Sequence, residues 1–138
     1  MLVLDTDHLS EIDRGSRLGN DLMGRLDQAG TEIATTIVSI EEQMRGWLAQ
    51  INRQRDVRGQ IISYTRLQRR LAFYSEWGVL PWDAAAADRF TALRREGVRI
   101  GSMDLKIACI VLAQDATLLT RNLADFRQVP GLSAEDWL

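Results

Sequence analysis

Short apolar runs alternating with helical patterns predict an α/β domain with a mainly parallel sheet. Leu2-Val3-Leu4, residues 32–37 and Thr117–Thr120 have the length and apolar content of buried central strands. Between them lie stretches with apolar residues three or four apart, the period of a helix packed on one face. The acids fall at the junctions. Asp5 closes the first run, Glu42 lies just past the second, and Asp104 opens the helical pattern that leads to the third.

Taken in order, the first strand is followed by a helix near 8–14, a break at Gly15, and a second helix near 20–29 ending at Gly30. After the strand at 32–37, Ser39-Ile40-Glu41-Glu42 has the form of a capping box, with Ser39 as N-cap and Glu42 three residues on. That helix should run to about 53. Another should cover 58–76, with Ile61, Ile62, Leu67, Leu71 and Tyr74 as its apolar positions. Gly78 breaks it, and Val79-Leu80 is a very short strand. Asp83 caps a helix through Glu96, rich in alanine, which Gly97 ends. Ser102 is expected to cap a helix from Met103 to about Gln114. The strand at 117–120 leads to a turn at Arg121-Asn122. Asp125-Phe126 falls on a loop or a single helical turn, and Pro130-Gly131 turns the chain into a last short extended segment.

A chain of 138 residues fits one domain, 1–138, with one good core. Apolar residues make up 46% and charged residues 26%, the balance of an ordinary globular protein. No apolar run is long enough to span a bilayer, and the chain enters its first strand at once. These features predict a cytoplasmic protein with no membrane partner. Cys109, alone on an apolar helical pattern, reads as a buried thiol in a reducing compartment. Net charge is −2, so the molecule as a whole has no basic field to attract nucleic acid. The distribution is uneven, however. Lys106 is the only lysine, and Arg53, Arg55, Arg58, Arg66, Arg69 and Arg70 crowd a region with one acid, Asp56. Arginine forks suit phosphates and stack on bases, although a solvated helix face accounts for any one of them equally well.

Sites in open parallel sheets form outside the carboxyl ends of the strands. Asp5 belongs there, and Glu42 leaves the second strand at the same edge. A helix of ~11 residues is about 16 Å long, and the strand after it returns a similar distance. Thr120-Arg121-Asn122 therefore comes back beside Asp104. Three carboxylates at one spot repel each other unless a cation sits between them, so convergence points to a metal site. Each acid also has an ordinary reading. Glu42 completes a capping box, and Asp104 suits the positive end of a helix. Asp5, a strand-end acid in an apolar setting, is harder to account for that way.

The motifs in order resemble those of PIN-domain nucleases. Leu2-Val3-Leu4-Asp5-Thr6-Asp7 resembles their opening strand, and Ser39 to Gly46 their second signature, with Glu42 in the acidic slot. Met103-Asp104-Leu105-Lys106-Ile107-Ala108 resembles the third, Leu118 to Phe126 the fourth, and Val129 to Trp137 the usual ending. The match covers the whole chain, and the Thr-Arg-Asn…Asp-Phe ending is most similar to VapC-type toxins of bacterial toxin–antitoxin pairs. The resemblance implies a three-layer α/β/α sandwich with a short, mainly parallel central sheet. It implies an endoribonuclease that uses Mg²⁺ or Mn²⁺, held by Asp5, Glu42 and Asp104, with RNA as substrate. Asn122 would be the fourth corner of the catalytic set, where many relatives carry Asp. Thr6, Asp7, Thr120 and Asp125 would support the site, Asp7 standing where Asn is common. Arg45 and Arg121 are the candidate RNA contacts. His8 lies beside the site and reads as structural or substrate-facing rather than catalytic. The resemblance also implies a small antitoxin partner and a homodimer; Trp47, Trp77 and Trp82 exceed what one short strand must cover and offer a groove for either, while core packing accounts for any one of them.

Two other readings fit parts of the pattern. Asp5-Thr6-Asp7 after an apolar strand also resembles haloacid-dehalogenase-like phosphatases, with Asp5 as nucleophile, Asp7 as general acid and Lys106 as the sole candidate lysine. A non-catalytic PIN-like module acting through an antitoxin and DNA is favoured by Asn122 and the acidic pI of about 5.4.

Overall fold

Residue by residue, the strands are short and the helices do most of the covering. The computed structural model describes residues 1–138. Strand β1 (Leu2–Leu4) leads to α1 (Thr6–Asp13) and α2 (Arg17–Ala29), then β2 (Ile33–Thr36) to α3 (Ile37–Arg53) and α4 (Gln60–Ser75). Strand β3 (Gly78–Leu80) precedes α5 (Ala84–Arg95) and α6 (Ser102–Ala113). The chain finishes with β4 (Thr117–Leu119), the single turn α7 (Leu123–Phe126) and β5 (Ser133–Glu135). The expected element order is therefore present.

All four strand pairings are parallel, in the order β3-β2-β1-β4-β5. Val3 pairs with Ala34 on one side and Leu118 on the other. Period-two alternation sends neighbouring side chains to opposite faces. Leu2 and Leu4 join Leu9, Leu22, Leu26, Trp47, Tyr74 and Leu119 in one core. Val3 and Leu118 join Leu105, Ile107, Ile110, Phe126 and their neighbours in the other. Helices α1 to α4 thus cover one face, and α5 to α7 the other, giving the three layers.

Beyond β1 the chain builds outward on one side through β2 and β3. It then returns to the opposite side of β1 for β4 and β5. The order reverses between β1 and β4, and a crevice opens at their carboxyl ends. Asp5 and Thr120 stand at that seam: the Asp5 amide donates to the Leu119 carbonyl at 3.0 Å.

Four helix starts differ from the sequence expectation: α1 and α2 begin early, at Thr6 and Arg17 behind the N-caps Asp5 and Ser16, and α3 and α6 differ in their caps. Helix α3 begins at Ile37, and Thr36, not Ser39, is its N-cap; the Thr36 hydroxyl accepts the Ser39 amide at 2.9 Å. The cap is fixed by where the chain leaves the sheet, and Thr36 is the last residue paired to β3. Glu42 consequently lies in the second turn and completes no capping box. Helix α6 begins at Ser102 itself, after Gly101, with no side-chain cap. Asp83 does cap α5, accepting the Ala86 amide at 3.0 Å. Cys109 is fully buried, and burial pushes its thiol up to about 11, as expected of a spectator.

These assignments separate in solution. Thr36→Ala should cost about 1 kcal/mol of stability, the usual loss for a deleted N-cap. Ser102→Ala should stay within about 0.5 kcal/mol. Denaturant midpoints at constant m-value check both.

Candidate functional site: a ring of carboxylates at the β1/β4 seam

The sequence-expected residues meet through a chain of hydrogen bonds. Asp5, the N-cap of α1, accepts the Thr6 amide at 2.7 Å through Oδ1 and the Thr120 hydroxyl at 2.8 Å through Oδ2. The Thr6 hydroxyl in turn donates to Glu42 Oε2 at 3.0 Å. On the other flank the Asn122 amide N–H donates to Thr120 Oγ1 at 3.1 Å. The Asn122 side-chain nitrogen donates to Asp104 Oδ2 at 3.2 Å and to Asp125 Oδ2 at 3.0 Å. Both partners are carboxylates, so the amide orientation of Asn122 is fixed by chemistry. The ring runs Glu42, Thr6, Asp5, Thr120, Asn122, then Asp104 and Asp125.

Its electrostatics are one-sided. None of Asp5, Glu42, Asp104 and Asp125 forms an ion pair with Arg, Lys or His. Burial pushes the Asp5 carboxyl up to about 6; the charges of Asp7 and Glu42 add to the rise, and the bonds from Thr6 and Thr120 restrain it. Burial also raises Asp104, helped by the charges of Glu42, Asp125 and Asp7 and opposed by the Asn122 bond. Repulsion at this range places the acids in one field. As they stand, no three carboxylate, imidazole or thiolate groups lie close enough to hold one metal ion. The chemistry of the donor set nevertheless fits a hard divalent cation: all the donors are oxygen, the charge is uncompensated, and one ligand is deeply buried.

Asp7 does more than add its charge to the ring. Its Oδ1 lies 2.7 Å from His8 Nδ1, and its Oδ2 accepts the Arg121 amide at 2.9 Å. His8 is completely buried, and its Nε2 accepts the Trp137 amide at 3.2 Å. With Nε2 accepting, Nδ1 is the nitrogen that faces Asp7 as donor. Burial alone would raise the Asp7 carboxyl, but the bonds from His8 and Arg121 outweigh it and hold the group low. Asp7 is thus a brace between α1 and the loop that carries Asn122.

The two candidate RNA contacts part company. Arg121 is exposed beside the ring. Arg45 pairs with Glu41 at 2.6 Å and lines an apolar groove with Ile37, Met44, Leu48 and Trp82. Lys106 lines the same groove, its ammonium 5.7 Å from the Trp82 ring centre. With Lys106 against Trp82 and Asp7 bound on both oxygens, the phosphatase reading loses its lysine and its general acid. Of the tryptophans, Trp47 is core, Trp77 is half-buried against it, and Trp82 is 36% exposed in the groove.

Sequence reasoning missed the polar cavity beside the ring, bounded by Thr6, Glu42, Gln43, Gly46, Asp13 and Arg70. The one local signal was Gly46, a glycine well inside a helix.

No family model matches the chain. In sequence, it is 43% identical to the ribonuclease VapC2 of Rickettsia felis over 47 residues, 34% of this chain and 35% of that protein. It is 36% identical to the tRNA(fMet)-specific endonuclease VapC of Shigella flexneri over 69 residues, 47% of this chain and 52% of that one. The matched stretches thus span about a third to a half of these curated relatives. In structure, it superposes on a chain of the DNA-bound VapBC complex of Salmonella typhimurium with a TM-score of 0.76 and 22% identity, covering 99% of this chain and 98% of that one. A chain of the promoter-bound VapBC2 complex of Rickettsia felis gives a TM-score of 0.73 with the same identity and coverage. The resemblance to VapC-type PIN-domain proteins is therefore borne out, in fold along the whole chain and in sequence over the matched stretches.

Proposed function

We propose that the chain is a metal-dependent endoribonuclease and the toxin of a toxin–antitoxin pair, acting in the cytoplasm. One observation carries the reading: carboxylates from β1, α3, α6 and α7 gather at the sheet's switch point with no basic side chain to balance them. The names of the relatives, ribonuclease and endonuclease, agree with it.

Asp5, Glu42 and Asp104 would hold Mg²⁺ or Mn²⁺. When bound, such an ion makes a water more acidic and neutralises charge on a phosphodiester. The chain's own residues set the stage for that. Thr120 and the Thr6 amide fix both oxygens of Asp5, so its carboxylate has one orientation. Thr6 steadies Glu42. Asn122 separates Asp104 from Asp125 with a neutral donor to each, which keeps two like charges in one site. Arg121 stands exposed where an RNA phosphate would arrive.

The partner would be a small antitoxin, as in the neighbouring complexes, with promoter DNA as a further element of the assembly. Helix α4 leaves Ile61, Ile62, Tyr64 and Leu71 more than half exposed, an apolar surface suited to such a partner. The groove at Ile37, Leu48 and Trp82 suits a second copy of the chain, completing a homodimer.

A second reading, a module that acts through an antitoxin and DNA without cutting RNA, draws on Asn122 and on the spacing of the acids. The two separate when protein freed of any partner is given structured RNA with Mn²⁺. We expect cleavage by wild type and a loss of at least roughly a hundredfold in Asp5→Ala. Equal cleavage by the two proteins would refute the nuclease assignment. Millimolar Mn²⁺ should also raise the Tm of wild type, because a ligand that favours the native state stabilises it.

The metal-free chain carries its own signature. An acid with a raised folded pKa keeps its proton longer in the folded state than in the unfolded. Asp5 therefore contributes no penalty below about pH 4, and a growing one as pH rises through about 6. The shift from 3.8 to about 6 corresponds to about 3 kcal/mol. In EDTA, Asp5→Asn should be more stable than wild type at pH 7.5 and lose that advantage by pH 4. Denaturation curves across that range measure it.

A further inference from the structure

Gly46 sits well inside α3, on an exposed turn, where glycine is a poor helix former. A Cβ built there would meet nothing within 4 Å, so packing does not require glycine. What lies in front of it is the cavity of ≈ 300 Å³ beside the carboxylate ring. A side chain at 46 would enter that space.

We infer that this cavity is the subsite for the nucleotide adjoining the scissile phosphate, kept open by Gly46. The inference rests on the endoribonuclease reading of the ring. Its first support is contiguity. Thr6 and Glu42 belong both to the ring and to the cavity wall, linked by a 3.0 Å hydrogen bond. A nucleotide next to a phosphate at the ring has this space beside it.

The second support is the chemistry of the walls. Trp47 is the one large apolar side chain among them, so the cavity suits a hydrogen-bonding ligand rather than an aliphatic one. Gln43 Nε2 donates to the Thr6 carbonyl at 3.3 Å and to Ser10 Oγ at 2.8 Å. Those bonds fix the amide and leave its carbonyl oxygen with no protein donor. The exposed Gln50 side chain makes no hydrogen bond within the protein and supplies both a donor and an acceptor. Splayed bases are read along their edges by such groups and stack on guanidinium planes. Arg70 provides a plane of that kind. It is held in place by Asp13 at 3.3 Å and by the Trp47 ring, whose centre lies 4.8 Å away.

The third support is charge. Arg14 and Arg70 are the basic residues in the cavity wall, each paired with an acid, Glu11 at 3.2 Å and Asp13 at 3.3 Å. Their N–H groups not turned to those acids are the charged donors the cavity offers a phosphate. An arginine or lysine from a protein partner would meet both guanidinium groups.

The test uses the chain freed of any partner. Gly46→Leu should fold with an unchanged or higher Tm, since helix propensity rises and nothing crowds the new Cβ. It should bind a short single-stranded RNA roughly tenfold more weakly by fluorescence anisotropy, the scale of one lost base contact. It should also lose the nucleotide preference on one side of the cut, read by sequencing the ends released from a randomised RNA. Gly46→Ser, with a shorter side chain, should shift both readouts less and in the same direction; it serves if the leucine variant does not fold. If wild type cuts RNA, Asp5→Ala does not, and both Gly46 variants keep wild-type affinity and preference, the subsite is overturned while the nuclease stands. If wild type neither cuts nor binds RNA, the nuclease reading falls and the subsite falls with it. Variants that cut normally but escape inhibition by a partner protein would assign the cavity to that protein, which also overturns the inference.

Discussion

A carboxylate buried to 7% exposure at the junction of two parallel strands is the constraint around which this molecule is arranged. Asp5 follows β1 directly, and its backbone continues the pairing to β4 through Leu119. It has no freedom to swing into solvent, and no cation within reach. Its two oxygens are satisfied by the Thr6 amide and the Thr120 hydroxyl, which are neutral donors. Neutral donors lower the cost of the charge without cancelling it. The fold therefore retains an unbalanced anion at its switch point, and Glu42, Asp104 and Asp125 enlarge that imbalance. Such an arrangement is costly for stability alone, and functional sites are where that kind of cost concentrates.

The same seam is braced from the far end of the chain. The Trp137 amide binds His8, His8 binds Asp7, and Asp7 binds the Arg121 amide. Arg25 clamps the other side of the tail, donating to the Trp137 carbonyl at 2.8 Å and stacking on its ring at 4.4 Å. The loop after β4, which carries Asn122, is thus tied to α1 and to the last residues at once. A buried histidine with both nitrogens engaged is a structural joint. Here it transmits the position of the tail to the loop that places two of the four acids.

Much of this was legible in the sequence, and the reasons differ by residue. Asp5 was readable because an acid ending a three-residue apolar strand is costly to bury, and a site that uses its charge offsets that cost. Asp104 and Asn122 were readable as a pair, because a helix and its return strand have nearly equal lengths. Glu42 was placed correctly but for a mixed reason: the capping box that competed for it does not exist. Thr35, Thr36 and Ser39 are all chemically able to cap, and the last sheet pairing, a tertiary fact, selects Thr36. Asp7 was read as a supporting residue, but its partner was not legible, because that partner is a histidine whose complete burial depends on the distant tail. Arg45 was named as a candidate RNA contact, and its local partner was not legible. On a helix, residues three apart are neighbours, yet Arg45 turns to Glu41, four residues before it. The cavity at Gly46 needs α1, α3 and α4 together, and the glycine, its one local signal, says nothing of what stands opposite it.

Charge, finally, accounts for how an acidic centre can face a polyanion. The ring by itself repels phosphate, and a net charge of −2 gives no long-range attraction. The compensation is local. Arg14 and Arg70 stand in the cavity beside the ring, and Arg66 and Arg69 lie exposed on the same helix as Arg70. At a Debye length of about 8 Å in physiological salt, such charges would act on an RNA strand only at close range. On the proposed reading, guanidinium groups would hold flanking nucleotides without entering the ring, where they would neutralise the carboxylates and remove the reason for a divalent ion to bind. Separation of the arginines from the acids is thus as much a part of the design as the convergence of the acids. The Asp13–Arg70 pair and the Trp47 ring beneath it keep that separation fixed.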